Sequence, residues 1–442
     1  MWSDTAQASE DDGAEEEAPL VIGLAKMTRN LVAGVPQNQE RAFAIEPSIR
    51  RLIRVYTAWT READEEARVA TRLLTQTLSN IVTANDPLQD DLWRRYLVSA
   101  DEGNVLLRLV QSHDPRTLIA LIVLLHNCVS SSATRSASLA RSNTGIHVLV
   151  ALLDKLEFYS EAEEPDQGKV FDLGYALFSS LFKHGQFSEL YTRTTIPTES
   201  ISPSQMTLLR LTDAYLQSRT GAQSDDDVAL TGALIHVFHS LSDAVQAAIR
   251  QVVGENCKVF SSALDLQLPA TCAALVLGTQ CLVALLLAEM GADVLTCKRT
   301  VLAARPGVIE SIPETLRLLD IFLPRITFGK ATPSPAAPQR GLGKPAVVDA
   351  TGFAYVKRDL VRLLGTLAHD DLSVQDRTRE AGGIPAVLNL CVIDERNPYL
   401  REHAIFALRN LLHGNPENQA IVEGLQPQGA WDANTDLAHA MR

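Results

Sequence analysis

No run in this chain alternates apolar and polar residues over the length of a half-buried strand, and few runs are β-branched. That argues against a sheet as the organising architecture. Aromatics make up only 5%, so a core has to come mainly from Leu and Ala, a balance that favours helix. There is no Lys/Arg-rich block, and the formal charge is −13. A general nucleic-acid binder needs a basic face to displace counterions, so nucleic acid is not an expected partner. Local basic spots such as Arg50, Arg51 and Arg54 read as solvated helix faces. The six cysteines (Cys128, Cys257, Cys272, Cys281, Cys297 and Cys391) form no CxxC pair. Most sit among Leu, Val and Ala, where a free thiol behaves as a small apolar residue. With no Asn-x-Ser/Thr sequon and an acidic N-terminus in place of a signal peptide, reduced thiols and a cytoplasmic location are expected.

Catalytic patterns are equally sparse. His236 and His239 have an i, i+3 spacing that could bind metal, with Asp243 as the one nearby third ligand, but apolar neighbours make them ordinary helix positions. Ser180 and Lys183 fit S-x-x-K without its companion motifs. Gly341-Leu342-Gly343-Lys344 lacks the spacing of a phosphate loop and runs into Pro345. Without CxxC pairs or a Met-rich tract, copper binding has no support. No catalytic residue, no cofactor and no metal site is expected.

What the chain does have is helix periodicity. Segments such as Glu65 to Ala84, Arg116 to Ser130, Phe171 to Phe182 and Val228 to Ala247 carry it, with breakers such as Asn85-Asp86-Pro87 and Asp114-Pro115 between them. Residues 1–18 are acidic and poor in large apolar groups, so a disordered tail is expected. Residues 19–327 read as irregular armadillo-like helical repeats, 328–350 as a Pro/Gly/Ala-rich linker, and 351–442 as a terminal armadillo-like domain. From Leu266 to Ala288 there is no charged residue, long enough for a bilayer. Interruption by Pro269 and Gly278 and the lack of flanking basic clusters favour a covered inner helix over a membrane span.

The stretch from Leu360 to Leu425 shows the repeat most clearly. LLGTLAHDD near Leu364 lines up with ALRNLLHGN near Leu408, an offset of about 44 residues and within the armadillo/HEAT range. TLSNIVTANDP near Asn80 and LIVLLHNCVSS near Asn127 are weaker copies. One such unit cannot bury its apolar face alone, so the fold class is all-α, an armadillo/HEAT-like helical-repeat solenoid. Asn397-Pro398 and Asn415-Pro416 read as N-caps, and Gly382 and Gly414 as helix stops. On a wheel, the helix from Tyr399 to His413 places Leu400, Ala404, Ile405, Ala407, Leu408, Leu411 and Leu412 on an apolar arc. Glu402, His403, Phe406, Arg409, Asn410 and His413 fall opposite and form the candidate protein-binding surface.

The terminal block resembles the corresponding domain of the ataxin-10 family. The resemblance is carried by Leu360-Val361-Arg362-Leu363, Gln375-Asp376, Gly383-Ile384-Pro385, Asn397-Pro398, Ala407-Leu408-Arg409-Asn410-Leu411, Asn415 and Asn418-Gln419. Upstream it extends only to length and helical character. Thr366 stands where the repeat places Asn410, which interrupts any Asn ladder between copies. The resemblance implies an armadillo-like, non-enzymatic protein with a part in regulating cytokinesis; the short chain and acidic start read as a fungal member. The expectation is therefore a scaffold that binds other proteins, with self-association left open. The alternatives are a regulatory subunit of a catalytic partner and a membrane-associated transport factor.

Overall fold

Long helices recur along the chain, and most are followed by two further helices before the next long one begins. A computed structural model describes residues 2–8, 14–61, 63–97, 104–219, 225–253, 266–289, 295–305, 307–323, 325–327, 330–332, 353–395 and 397–424. The chain divides into two compact units, Met1–Ala233 and Leu234–Arg442. Each is a stack of helical repeats, so the all-α solenoid expectation holds.

In the first unit the long helices are α2 (Ala14–Val32), α5 (Glu65–Val82), α8 (Pro115–Val129) and α11 (Pro165–Lys183), packed side by side in that order. Ahead of them lies α1 (Trp2–Ala8). Between them come α3 (Pro36–Ala42) and α4 (Glu46–Tyr56), α6 (Asp86–Leu97) and α7 (Val105–Val110), then α9 (Ala133–Arg141) and α10 (Asn143–Tyr159). The series closes with α12 (Phe187–Arg193) and α13 (Pro203–Ser218). Local chemistry starts these helices where the breakers lie. The Asp114 carboxylate accepts from the backbone N–H groups of Arg116 and Thr117, with Pro115 at the first position of α8. Ser202 and Gln205 form a reciprocal capping box on α13.

The acidic stretch 1–18 is not the disordered tail expected from composition. It carries α1 and the first turn of α2, with residues 1 and 9–13 outside the described set. α1 packs against α4 and α2, and Thr5 is buried. Neighbouring helices thus supply the surface that this stretch lacks in its own sequence.

The second unit begins within α14 (Asp225–Val253). It continues with α15 (Leu268–Ala288), α16 (Thr296–Ala303) and α17 (Val308–Phe322). Two short strands, β1 (Arg325–Thr327) and β2 (Lys330–Thr332), form one antiparallel pair. Then follow α18 (Val356–Ala368), α19 (Leu372–Glu380), α20 (Gly383–Asn389), α21 (Leu400–Leu412) and α22 (Pro416–Gly424). α18 lies between α15 and α21, and α20 packs on α17. The terminal block therefore continues the stack of α15 and α17. The linker expected at 328–350 instead starts with β2. The Ile326 N–H donates to Asp394 Oδ1 at 3.1 Å and its carbonyl accepts from the Glu395 N–H at 2.9 Å, so a buried carboxylate and a loop backbone hold β1. Residues 333–350 lie outside the described set.

The uncharged stretch at 266–288 forms α15, with Cys272, Leu275, Cys281 and Leu282 fully buried and α18 on one flank. α15 and Asp227–Val253 are long and apolar enough to cross a membrane by length and composition, and most of each window is buried within the protein. Cys128, Cys272, Cys281, Cys297 and Cys391 are free thiols; Cys257 lies outside the described residues.

One device recurs between repeats. The last carbonyls of a helix have no partner within it, and here a polar side chain from the next helix reaches back seven residues to take one. Gln89 Nε2 donates to Val82 O and to Asn127 O, both at 3.0 Å. Gln375 Nε2 donates to Ala368 O at 3.4 Å, Asn410 O at 2.9 Å and His413 O at 3.2 Å. Asn418 Nδ2 donates to Leu411 O at 2.7 Å, and Arg135 Nε to Cys128 O at 2.6 Å. Gln39 reaches only forward, to Asn80 O and Thr83 O. Gln89 and Gln375 each tie the end of the preceding long helix to the end of the next.

Two substitutions test this packing. Gln375→Leu removes the hydrogen bonds to the Ala368, Asn410 and His413 carbonyls and is expected to cost about 1–3 kcal/mol, read as a lower midpoint in urea unfolding. Gly365→Ala puts a methyl group 3.0 Å from Ala407 Cα and Cβ; overpacking between α18 and α21 is expected to cost about 1–3 kcal/mol. A melting temperature equal to that of the parent would rule out close packing at this point.

Candidate protein-interaction face

α21 begins one residue later than the sequence pattern placed it. Asn397 is not its N-cap: the residue is buried, its amide donates to Asp394 Oδ2 at 2.8 Å, and Tyr399 occupies the cap position with φ 63°. Asn415 does cap the following helix, accepting from the Asn418 N–H at 3.1 Å. Gly382 and Gly414 adopt the positive φ expected of helix stops.

The six sequence-predicted residues divide. Glu402, Phe406, Arg409 and His413 are exposed and follow one another at i, i+4, i+7 and i+11, which places them on one helix face. His403 is half-buried beside this stripe. Asn410 is not part of it. It is 7% exposed, and its amide donates to Gly365 O on α18 at 2.9 Å. The same use recurs at Asn80, whose amide donates to Arg29 O at 3.2 Å on the preceding long helix. Thr366 turns its hydroxyl back to Arg362 O within its own helix and makes no such tie. A wheel assigns polar residues to the outside; here an inter-helix carbonyl satisfies Asn410 on the inside.

Ile405 was assigned to the apolar arc but is 48% exposed, beside Phe406 at 45%. The reason lies in stacking. α18 has long helices on both flanks, whereas among the described residues α21 meets α18, α19, α20 and α22 and no further long helix. Its outer flank therefore stays uncovered, including positions that a mid-stack helix would bury. Tyr399 and Tyr355, missed in the sequence, stand exposed at the N-terminal ends of α21 and α18. Both are held at positive φ, 63° and 68°, a conformation that costs a non-glycine residue about 1–3 kcal/mol. Their offset matches the repeat offset, which marks the pair in the sequence without indicating exposure.

Charged residues of α18 lie near His403. Arg358 donates to both Asp359 oxygens at 2.9 Å and lies 4.1 Å from the centroid of the Tyr355 ring. Gln280 of α15 donates to Asp359 Oδ2 at 2.9 Å. Burial pushes the His403 imidazole below its ordinary range, Arg362 and Arg358 add to this, and Asp359 and Glu402 oppose it. A residue whose folded-state value is depressed favours folding above its unfolded value of about 6.5. That contribution falls away as pH drops through 6.5 towards the lower folded-state value. Melting temperatures between about pH 7.5 and 5.5 are expected to fall less steeply in His403→Gln than in the parent; equal slopes would contradict this.

The model of the spinocerebellar ataxia type 10 protein domain matches residues 356–441, which takes in α18 to α22. Ataxin-10 from Xenopus tropicalis is 25% identical over 393 residues, covering 88% of this chain and 71% of the frog protein. The Dictyostelium discoideum ataxin-10 homolog is 41% identical over 97 residues, 22% of this chain and 15% of that relative. Human ataxin-10 is 34% identical over 132 residues, 29% of this chain and 26% of the human protein. The chain spans about seven tenths of the length of the frog relative, about a quarter of the human protein and less of the Dictyostelium one. The chain is thus similar to ataxin-10 proteins along most of its length, and the domain match falls where α18 to α22 form the end of the stack.

Proposed function

We propose that this protein is a non-enzymatic, cytoplasmic, armadillo-like scaffold that docks partner proteins on the outer face of α21. The observation that carries the reading is the exposed pair Ile405 and Phe406 beside Glu402, Arg409 and His413 on a helix with no further long helix packed on it among the described residues. Apolar anchors ringed by charge are the usual make-up of a binding hot spot. Tyr399 extends the face at the start of the helix. The interior does not need these side chains, since Leu400, Ala404, Ala407, Asn410 and Leu411 already fill the buried side of α21. A part in regulating cytokinesis is the reading that the likeness to ataxin-10 supports.

Phe406→Ala with Arg409→Ala removes the anchor and its neighbouring charge without touching a buried residue. Affinity for bound partners is expected to drop by about thirtyfold, the effect of losing a hot-spot residue, with the circular dichroism spectrum unchanged. Asn410 is left intact, because its loss would disturb packing rather than the face. Quantitative pull-downs from dividing cells that retain the same partners in the same amounts would sink the proposal. A captured partner that is an enzyme, with activity altered by the parent protein and not by the double variant, would make the scaffold a regulatory subunit.

A further inference from the structure

A cleft of about 1060 Å³ opens in the first unit, where α5, α8 and α11 begin. At its edge Trp59 is 88% exposed. An indole left this open is costly in water and is a frequent anchor for a partner. Five arginines line the cleft, in a chain whose overall charge is −13. Some of that charge is already matched. Arg68 pairs with Glu65 at 2.6 Å and Arg116 with Asp166 at 2.8 Å. Asp114 is engaged in capping α8, and Arg108 donates to Arg54 O at 3.3 Å. Glu164 accepts from Gln167 at 3.1 Å.

Arg61 and Arg72 differ, since neither side chain makes a hydrogen bond or ion pair among the described residues. Arg61 Nη1 is shielded from solvent and has no acceptor; its guanidinium carbon lies 5.8 Å from the centroid of the Tyr56 ring. A shielded guanidinium N–H without an acceptor is unfavourable until a ligand supplies one. The guanidinium fork matches carboxylate and phosphate oxygens two at a time. The first turns of three helices add positive potential to the same space.

We propose that this cleft binds an acidic peptide segment of a partner protein, with Arg61 and Arg72 gripping its carboxylate or phosphate oxygens and Trp59 packing beside it. The proposal is independent of the α21 face. Elsewhere the acidic chain repels such a segment, so the cleft also selects where it lands.

Fluorescence polarisation with the full chain tests this, using a fluorescein-labelled Glu-rich peptide, a phosphoserine counterpart and a Gln-for-Glu control. The acidic peptides are expected to bind and the control not to. Binding by both assigns the carboxylate, and binding by the phosphoserine peptide alone assigns the phosphate. Arg61→Gln with Arg72→Gln is expected to weaken binding by about tenfold or more, and Trp59→Ala by severalfold. Because Arg61 is partly buried, Arg72→Gln alone provides a variant whose folding is not at risk. Phe406→Ala with Arg409→Ala should bind these peptides as the parent does, which separates this site from the α21 face. The proposal is overturned if neither acidic peptide binds at about millimolar concentration. It is also overturned if the control binds equally, or if the folded arginine variants bind as the parent does.

Discussion

Much of this structure depends on satisfying the carbonyl ends of its long helices. In a stack of repeats those ends lie between layers, out of reach of water, and an unpaired carbonyl there is costly. Gln89, Arg135, Gln375 and Asn418 each return to a carbonyl seven residues earlier, and Gln89 and Gln375 also take carbonyls of the next long helix. One side chain thereby fixes both the exit of the preceding long helix and the register of the next one. Arg135 adds ion pairs to Asp86 and Asp90, extending the tie to α6. Apolar packing supplies the bulk of the stabilisation; these polar ties select one alignment among the many that Leu-on-Leu surfaces would tolerate.

Within the second unit, position in the stack decides what each helix shows. α18 is covered on both flanks, and even Lys357 is fully buried there. Its ammonium donates to Leu323 O at 3.1 Å and pairs with Asp320 at 3.3 Å, which also pairs with Arg325 of β1 at 3.2 Å. Burial lowers the Lys357 pKa, and Asp320 and Asp394 pull it back up. The strand pair, α17 and α18 are thus joined by one enclosed cluster of charges. α21 has a similar sequence pattern and a different fate, because no long helix follows it among the described residues. Its outer flank keeps Ile405 and Phe406 at the surface, where the repeat pattern alone would predict cover.

The family likeness gains a physical meaning from this frame. Gln375 and Asn418, which stand in the stretch that resembles ataxin-10, are the residues that close the carbonyl ends of α18 and α21. Asn410 joins α21 to the backbone of α18 at Gly365, where an added methyl group would lie only 3.0 Å from Ala407. These positions serve the interior. The exposed Glu402, Phe406, Arg409 and His413 are not used in it.

The sequence by itself determined that the chain is helical, that long helices recur, and where many of them start and stop. Periodicity, Asn and Asp caps, and positive-φ glycines act within a few residues, so they are legible without neighbours. It also placed four of the six candidate residues on the exposed stripe of α21. What it could not determine was which polar residues face inward. Asn410 became a buried tie and Asn397 a loop brace, although they read as a surface residue and a cap. Nor could it foresee helix in the acidic first residues, the exposure of Ile405, or Arg61 left without an acceptor beside Trp59. Each of these depends on which helix lies alongside, and only the tertiary structure brings together carbonyls, guanidinium groups and helix flanks that lie roughly a repeat length apart in the chain.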